Sequence, residues 1–437
     1  MRLGCRLFRY KIIRIINLKS RFLIFILFFF AGISSFASKL LIPMDHAQKD
    51  HLKAYGIAYW ILTFDREVEW LLNYRGGSFM IDVTDKFEKE CLLRGVSYEK
   101  ISDGTAQGIY NEIANPAVNM EVVKLLKAPK VAVYSPKTKQ PWDDAVTLVL
   151  SYAEIPYETV FDDDVMEGKL PLYDWLHLHH EDFTGQYGKF WASYNQAQWY
   201  KEQVAEAEAI AAKHGFKKVS ELKLAVVKKI RDFTLGGGFL FAMCSATDSY
   251  DIALAADGID ICESMYDGDG MDMDAQSKLD FENTFAFKNF QLDMNPYNYE
   301  YSNIDMQYSE RPVSEENDLF VLFDFSAKYD IVPTILCQNH EKVIKGFMGQ
   351  TTAFRKSLIK SEVLIMGQNQ SLGEAKYIHG VMGKGTWTFY GGHDPADYQH
   401  MVGEPPTELS LHPNSPGYRL ILNNILFPSA KKKKQKT

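Results

Sequence analysis

Short apolar runs alternate with helically spaced stretches along most of this chain. Leu40-Leu41-Ile42-Pro43-Met44-Asp45 reads as a buried strand ending in a polar turn. Residues 51–62 place Leu52, Tyr55, Tyr59 and Leu62 on one helical face, and residues 68–72 form a second strand closed by Arg75-Gly76-Gly77. This is a βαβ opening. Residues to about Leu126 continue as a mixed α/β segment. A fresh strand at 130–135 follows Ala128-Pro129. A helix at 143–153, strands at 157–160 and 173–180, and helices at about 196–213 and 219–233 come next. The last helix carries Leu222, Ala225, Val226, Ile230 and Phe233 at core spacing. Strands alternating with helices predict an α/β fold with a doubly wound parallel sheet.

From Cys262 to about Lys328 the pattern changes. The segment is rich in Asp, Tyr, Phe and Asn, and Phe285-Ala286-Phe287-Lys288-Asn289-Phe290 alternates like a β hairpin. It reads as a β-rich insertion over 262–328. Strands resume at 363–366, 375–379 and 386–390, with Gly383-Lys384-Gly385 as a turn and Gly391-Gly392-His393-Asp394 after the last strand. A helix at 418–426 closes the fold.

The segment from Gly236 to Asp248 stands out. A glycine turn leads into the apolar run Phe239-Leu240-Phe241-Ala242-Met243, then Cys244-Ser245-Ala246-Thr247-Asp248 opens a helix at 248–256. A strand-corner-helix presents its corner side chain at the open end of a sheet. It needs small residues two before and two after, here Ala242 and Ala246.

The first 37 residues are different in composition. Arg2, Arg6, Arg9, Lys11, Arg14, Lys19 and Arg21 form a basic region without acids, 22–33 is continuously apolar, and Ser35-Phe36-Ala37 offers small residues for a signal peptidase. Residues 1–37 are expected to be a secretory signal peptide, cleaved after Ala37; an uncleaved anchor is the competing reading. The apolar run is shorter than the roughly 20 residues of a membrane span. An exported location, periplasm or cell envelope, follows. Of 48 Lys and Arg, seven lie in this leader, leaving 41 against 56 Asp and Glu, a net charge of −15. An acidic body argues against a nucleic-acid surface. The lysine-rich tail, 431–437, reads as a solvated disordered end, or as a tether to anionic lipid or an acidic partner. Beyond the leader, Cys91, Cys244, Cys262 and Cys337 are widely spaced with no CxxC, which indicates neither a zinc site nor a small disulfide scaffold.

On these residues, 128–430 resembles the ThuA-like branch of the class I glutamine amidotransferase-like superfamily. The matching pieces are the helix leading to Gly236-Gly237-Gly238, the corner before Ser245-Ala246-Thr247-Asp248, the Gly383-Lys384-Gly385 turn, Gly392-His393, and Ile421-Leu422-Asn423-Asn424-Ile425-Leu426. The resemblance implies a flavodoxin-like sheet, preceded here by an N-terminal α/β extension over 38–127. ThuA-like proteins often carry histidine where this chain has Cys244. The whole chain is also similar to exported bacterial proteins labelled asparagine synthetase B. Asparagine synthetases use a cysteine at the mature N-terminus and a Ser-Gly-Gly-x-Asp-Ser loop; this chain has neither, so asparagine synthesis is not expected.

By the same resemblance, Cys244 is the nucleophile, His393 its base, and an acid after the histidine orients the imidazole. In His393-Asp394-Pro395-Ala396-Asp397 either Asp394 or Asp397 could serve. A ligand-binding or vestigial site at Cys244, or a structural or disulfide-bonded cysteine, is the alternative. His179-His180-Glu181-Asp182, after a central strand, sits where α/β folds bind ligands. With Ser245 these residues are ligand-binding candidates. His, Glu and Asp together could hold Zn²⁺ or a sugar, against the simpler reading of a polar loop. Asp267-Gly268-Asp269-Gly270-Met271-Asp272-Met273-Asp274 fails the EF-hand register and reads as a solvated acidic turn. No metal or cofactor is assigned. The functional expectation is a small-molecule or glycan-derived ligand, and hydrolysis of an amide or glycan-derived substrate. The alternative is a non-catalytic envelope component that binds other proteins.

Overall fold

The computed structural model describes residues 37–138, 140–306, 311 and 313–431. Residues 1–36 of the expected signal peptide and most of the lysine tail lie outside them, while Ala37 opens the first strand. Among the described residues no helix is long and apolar enough to cross a membrane.

The N-terminal part is a five-stranded antiparallel sheet of β1 (Ala37–Ile42), β2 (Val68–Leu72), β3 (Ser78–Asp82), β4 (Glu99–Ser102) and β5 (Glu121–Leu125), in the order β4-β1-β3-β2-β5. Helix α1 (His51–Leu62) joins β1 to β2, and β3 pairs between them, so the βαβ opening is split by a strand. Helices α2 (Asp85–Arg94) and α3 (Asp103–Ala114) complete the segment.

The second sheet is mixed. Its parallel part is β6 (Val131–Tyr134), β7 (Glu158–Val160), β8 (Trp175–Leu178), β9 (Phe239–Met243) and β15 (Gly385–Tyr390), in the order β7-β6-β8-β9-β15. Beyond β15 the pairing turns antiparallel through β14 (Glu374–Met382), β13 (Leu364–Asn369), β10 (Leu319–Leu322) and β11 (Val343–Lys345), with β12 (Phe354–Arg355) on β14. The expectation of a parallel sheet therefore holds for only part of it. The hairpin turn at Gly383-Lys384 makes β14 and β15 neighbours and fixes that pair as antiparallel.

The central strands are buried on both faces, which explains their continuous apolar runs. On one face Val131, Val133, Trp175, Phe241 and Tyr390 join α1, α4 (Ala145–Tyr152) and the last helix, Pro416–Leu426, in a core shared with the N-terminal sheet. On the other, Ala132, Leu176, Leu240, Ala242 and Phe389 pack with α5 (Asp162–Met166), α6 (Gln198–Lys213), α7 (Val219–Gly236) and α8 (Ala246–Ala255). One strand thus feeds two cores, because successive side chains point to opposite faces.

The insertion corrects the sequence reading. Phe285-Ala286-Phe287-Lys288-Asn289-Phe290 forms no hairpin; the segment is irregular, with isolated bridges such as Phe287 to Ile359. The backbone amides of Phe285, Ala286 and Phe287 donate to the Asp251 carboxylate at 2.7, 2.7 and 3.0 Å. A buried carboxylate satisfies the donors that a partner strand would have taken, and the phenylalanines fill the core instead.

Candidate active site

Four parallel strands end at Tyr134, Leu178, Met243 and Tyr390. The loops that follow bring Asp143-Asp144, His179-His180, Cys244 and Gly392-His393 to one edge of the sheet, the edge where open α/β sheets bind ligands.

The chain turns sharply at Cys244, whose φ is +52°. That left-handed conformation costs a non-glycine residue about 1–3 kcal/mol. The turn is held from both sides. Ala246 N–H donates to His179 O at 2.9 Å, and the Thr247 hydroxyl donates to Cys244 O at 2.7 Å. Ala242 and Ala246 are fully buried, so no larger side chain would fit beside the bend.

Cys244 is buried and its Sγ accepts from the Gln350 backbone N–H at 3.3 Å. Burial opposes the thiolate. Even so, the His393 imidazole beside it and the amides of Thr351 and Gln350 hold the thiol below its ordinary value. Burial likewise pulls His393 towards neutrality, but Asp143 and Cys244 outweigh it and push its pKa up to about 10. Each group thereby favours the charged form of the other. His393 Nε2 lies 3.9 Å from Asp143 Oδ1, longer than a hydrogen bond; such contacts tighten in many enzymes only with substrate bound. Burial disfavours the charge of Asp143, yet His393 and His400 hold its carboxyl below the usual carboxylate range.

Four imidazoles pile up at this edge. The His179 and His180 rings are stacked at 3.7 Å, His180 lies 4.5 Å from His393, and His393 stacks on His400 at 5.0 Å and 11°. Burial keeps His179 and His180 neutral, the former down to about 4. Beneath them Asp144 caps α4, accepting from the amides of Val146 and Thr147, and faces His177 and His179 at 3.2 Å each. Donor atoms of His179, His180 and His393, and those of Asp144, His177 and His179, come within 4.8 Å of one another. The first three rings lie within 34° of parallel. That is a stack, not a shell of ring planes converging on one centre as a tetrahedral ion demands.

A cavity of about 410 Å³ opens onto Cys244, His180, His393 and His400, within the size range of small-molecule sites. Trp142, Phe190, Tyr194, Tyr299 and Met348 form its apolar wall, and Glu300, Asp305, Gln350 and Gln399 its polar one. Lys189 also lines it, but its ammonium is spent on the carbonyls of Asp293, Asn295 and Glu300.

The other expected site residues separate. His180 lines the cavity; His179 lies behind it. Asp182 accepts from the amides of Thr184 and Gly188 and holds the loop after β8 in shape. Glu181 faces Lys223, Asp162 and Asp182, and its burial pushes its pKa up to about 7. Neither acid lines the Cys244 cavity. Ser245 is buried in the first turn after the corner. Asp394 accepts from Ala396 N–H at 2.8 Å and ties its own turn, while Asp397 reaches His400 at 2.9 Å. The carboxylate that faces His393 is Asp143, which sequence reasoning passed over as a helix start. Its signal was there: two acids in a row after the first parallel strand, where one suffices as a cap. In the acidic turn, the Lys218 ammonium sits among Asp260, Asp267 and Asp269, so a protein cation already occupies that cluster.

No protein-family model matches the chain, and no curated protein matches it. Among solved structures it is similar to two proteins of Salmonella typhimurium, cytoplasmic protein STM3548 and cytoplasmic protein STM1381 of strain LT2. Identities are 10% and 11%, TM-scores 0.33 and 0.31, each over 69% of this chain and 100% of the other. Gan42B, a GH42 beta-galactosidase, aligns at 10% identity and TM-score 0.25 over 61% of this chain and 28% of its own. At such scores these likenesses carry no argument about function.

Proposed function

We propose that this chain is an exported, thiol-dependent hydrolase that cleaves an amide or a glycan-derived substrate, of the ThuA-like, class I glutamine amidotransferase-like kind. The parallel strand order β7-β6-β8-β9-β15, which is 2-1-3-4-5 in chain order, supports a flavodoxin-like, doubly wound core. The basic, apolar and small-residue succession of 1–37 supports export. The observation that carries the reading is Cys244 in a left-handed corner, beside His393 and Asp143, on the floor of a cavity.

The chemistry follows from those groups. Cys244 Sγ attacks the carbonyl carbon, the bond to the leaving nitrogen breaks, and His393 gives that nitrogen its proton. The acyl group now rides on sulfur. His393, neutral, takes a proton from water as the water attacks the thioester, and the C–S bond breaks. Thiolate and imidazolium are restored, with acid and amine released. The Gln350 amide, which contacts sulfur in the free protein, is near enough to meet the oxyanion.

Cys244→Ala and His393→Ala tested separately against a panel of simple amides and amidated glycan fragments should each abolish release of ammonia or amine. Hydrolysis that survives both substitutions would sink the assignment.

A further inference from the structure

Resting on the reading of Cys244 as nucleophile, we propose that Lys189 and Gln350 are positioning residues that set the specificity of this site. They hold the Phe190 and Tyr299 wall of the cavity in place to receive a ring-bearing group of the substrate, its flat apolar face against the aromatic rings.

The loop after β8 has an unusual backbone. Tyr187, Gly188 and Lys189 have φ of +51°, +71° and +55°, three left-handed residues in a row, and Gly185 before them is at +87°. Glycine enters this region freely and bulky residues do not, so a run through Tyr and Lys persists only where the surroundings over-determine it. Here they do. Asp182 accepts from the amides of Thr184 and Gly188 at 2.7 and 3.1 Å, and Gln350 Nε2 donates to Gly188 O at 2.9 Å. The Phe190 ring covers Gly188, where a Cβ would lie 2.5 Å from it. The turn thus delivers Phe190 to the cavity wall and buries the Lys189 side chain.

Lys189 is 3% exposed, and its Nζ donates to the carbonyls of Asp293, Asn295 and Glu300 at 2.6, 3.3 and 2.8 Å. One side chain therefore gathers three points of the segment that carries Tyr299. Gln350 Nε2 adds a fourth, Tyr299 O at 2.8 Å. Residues 293–300 form neither strand nor helix, so their path depends on such anchors.

The resulting wall is continuous. Phe190 lies 5.7 Å from Tyr299 and 5.1 Å from Trp142, and all three line the cavity with Cys244. Tyr299 is 43% exposed, which leaves a ring surface open to a ligand. Gln350 touches the sulfur through its backbone amide and the wall through its side chain. Capture of the substrate's ring and placement of its carbonyl are thereby coupled through one residue. An aromatic ring and the apolar face of a sugar offer the same kind of flat surface to such a wall.

The test compares reagents that share one reactive group. Alkylation of Cys244 at pH 7 by iodoacetamide, N-benzyliodoacetamide and N-iodoacetylglucosamine is followed in the folded, full protein, with the labelled peptide identified, and each rate is divided by that of N-acetylcysteine. The ratio of a ring-bearing reagent to iodoacetamide cancels any change in the thiol itself. In wild type at least one ring-bearing reagent should gain about threefold or more, with saturation, as ring stacking supplies; which one gains separates an aromatic from a sugar ring. Lys189→Met should raise the concentration for half-maximal rate by roughly fivefold, the weight of one hydrogen bond, and move the maximal rate much less. Gln350→Met should act in the same direction. Lys189→Arg, which keeps N–H donors towards the carbonyls, should recover most of the wild-type behaviour. If Lys189→Met does not fold, Gln350→Met and Tyr299→Ala carry the test. No gain with either ring-bearing reagent overturns the ring-binding wall. Half-saturation that stays at the wild-type value in the variants, or a loss confined to the maximal rate, overturns the positioning role. A wild-type Cys244 that iodoacetamide alkylates no faster than N-acetylcysteine overturns the nucleophile reading instead.

Discussion

The backbone N–H of Gln350 donates to the sulfur of Cys244 across 106 residues of chain. The loop that makes this contact is fastened at several points. Thr351 Oγ1 donates to Asp248 at 2.8 Å, and the amides of Thr352 and Ala353 donate to Asp305 at 2.8 and 3.1 Å. The Lys376 ammonium, drawn down to about 7 by burial, donates to the carbonyls of Phe347 and Thr352. The Gln350 side chain bonds Gly188 O and Tyr299 O and so ties the insertion to the loop after β8. A thiol in a strained corner is thus supplied with donors by a rigid, buried strap. That is the arrangement expected of preorganised electrostatics, not of a packing cysteine.

The four cysteines among the described residues are free: Cys91, Cys244, Cys262 and Cys337. Burial pushes the Cys91 thiol up to about 12 and raises Cys262 and Cys337 as well, whereas Cys244 is lowered. Iodoacetamide at neutral pH without reductant should therefore modify Cys244 first in the folded protein. Peptide mapping that finds Cys244 bridged to another cysteine, or slower than Cys91, would remove the thiolate from the argument.

Asp143→Asn tests the orienting acid. Without its charge His393 loses its stabilising anion, and the thiol rises towards its ordinary value near 8.5. Alkylation of Cys244 at pH 6 should slow by about tenfold or more, since the thiolate fraction falls with each unit. Asp394→Asn, which alters the turn at Ala396 and the contact with the Tyr418 hydroxyl but removes no charge facing His393, should leave the rate near wild type. Equal effects from the two substitutions would count against Asp143.

Much of this architecture was legible in local patterns. Helix α1 spans the residues that its spacing marks out, and the corner at Cys244 is written in a glycine turn, an apolar strand and two flanking alanines. What escaped depends on partners distant in sequence. The antiparallel pairing of β1 with β3 and β4 leaves no periodicity in the strands themselves. The run from Phe285 to Phe287 alternates like a strand, yet its amides belong to Asp251. Asp394 and Asp397 are candidates because they follow His393 in the chain, but Asp394 accepts from Ala396 N–H and Asp397 reaches His400, and the acid beside the imidazole comes from the β6–α4 loop. Sequence adjacency predicts turns well and site geometry poorly.

Gly349 tests how closely the strap must fit. A Cβ there would lie 2.8 Å from the backbone nitrogen of His393 and 3.0 Å from Gly392, both main chain and unable to yield cheaply. Gly349→Ala should cost about 1–3 kcal/mol of stability, as overpacking does. It should also slow Cys244 alkylation by moving either the Gln350 amide or His393. Unchanged melting and unchanged alkylation together would mean that the strap is looser than these contacts state.

Asp248 gives the sharpest pH prediction. Its carboxyl is buried beneath the strap, and burial pushes its pKa up to about 7, against hydrogen bonds from Thr351 and Ser249 that act the other way. In the unfolded chain it would titrate near 3.9. Between these values the folded state keeps a proton that the unfolded state has released, so stability falls as pH rises through this window and the full loss is reached above about 7. An asparagine at this position cannot titrate, and its side-chain oxygen can still accept from Thr351. Asp248→Asn should therefore gain stability relative to wild type as pH rises from 4 to 8, by an amount on the order of 4 kcal/mol. Glu181, Asp251 and His179 also titrate across this range, but they are present in both proteins and cancel in the difference. Urea unfolding of the two proteins at several pH values measures it. A difference that stays constant from pH 4 to 8 would show that Asp248 is already ionised in the folded protein and that the strap rests on a buried anion.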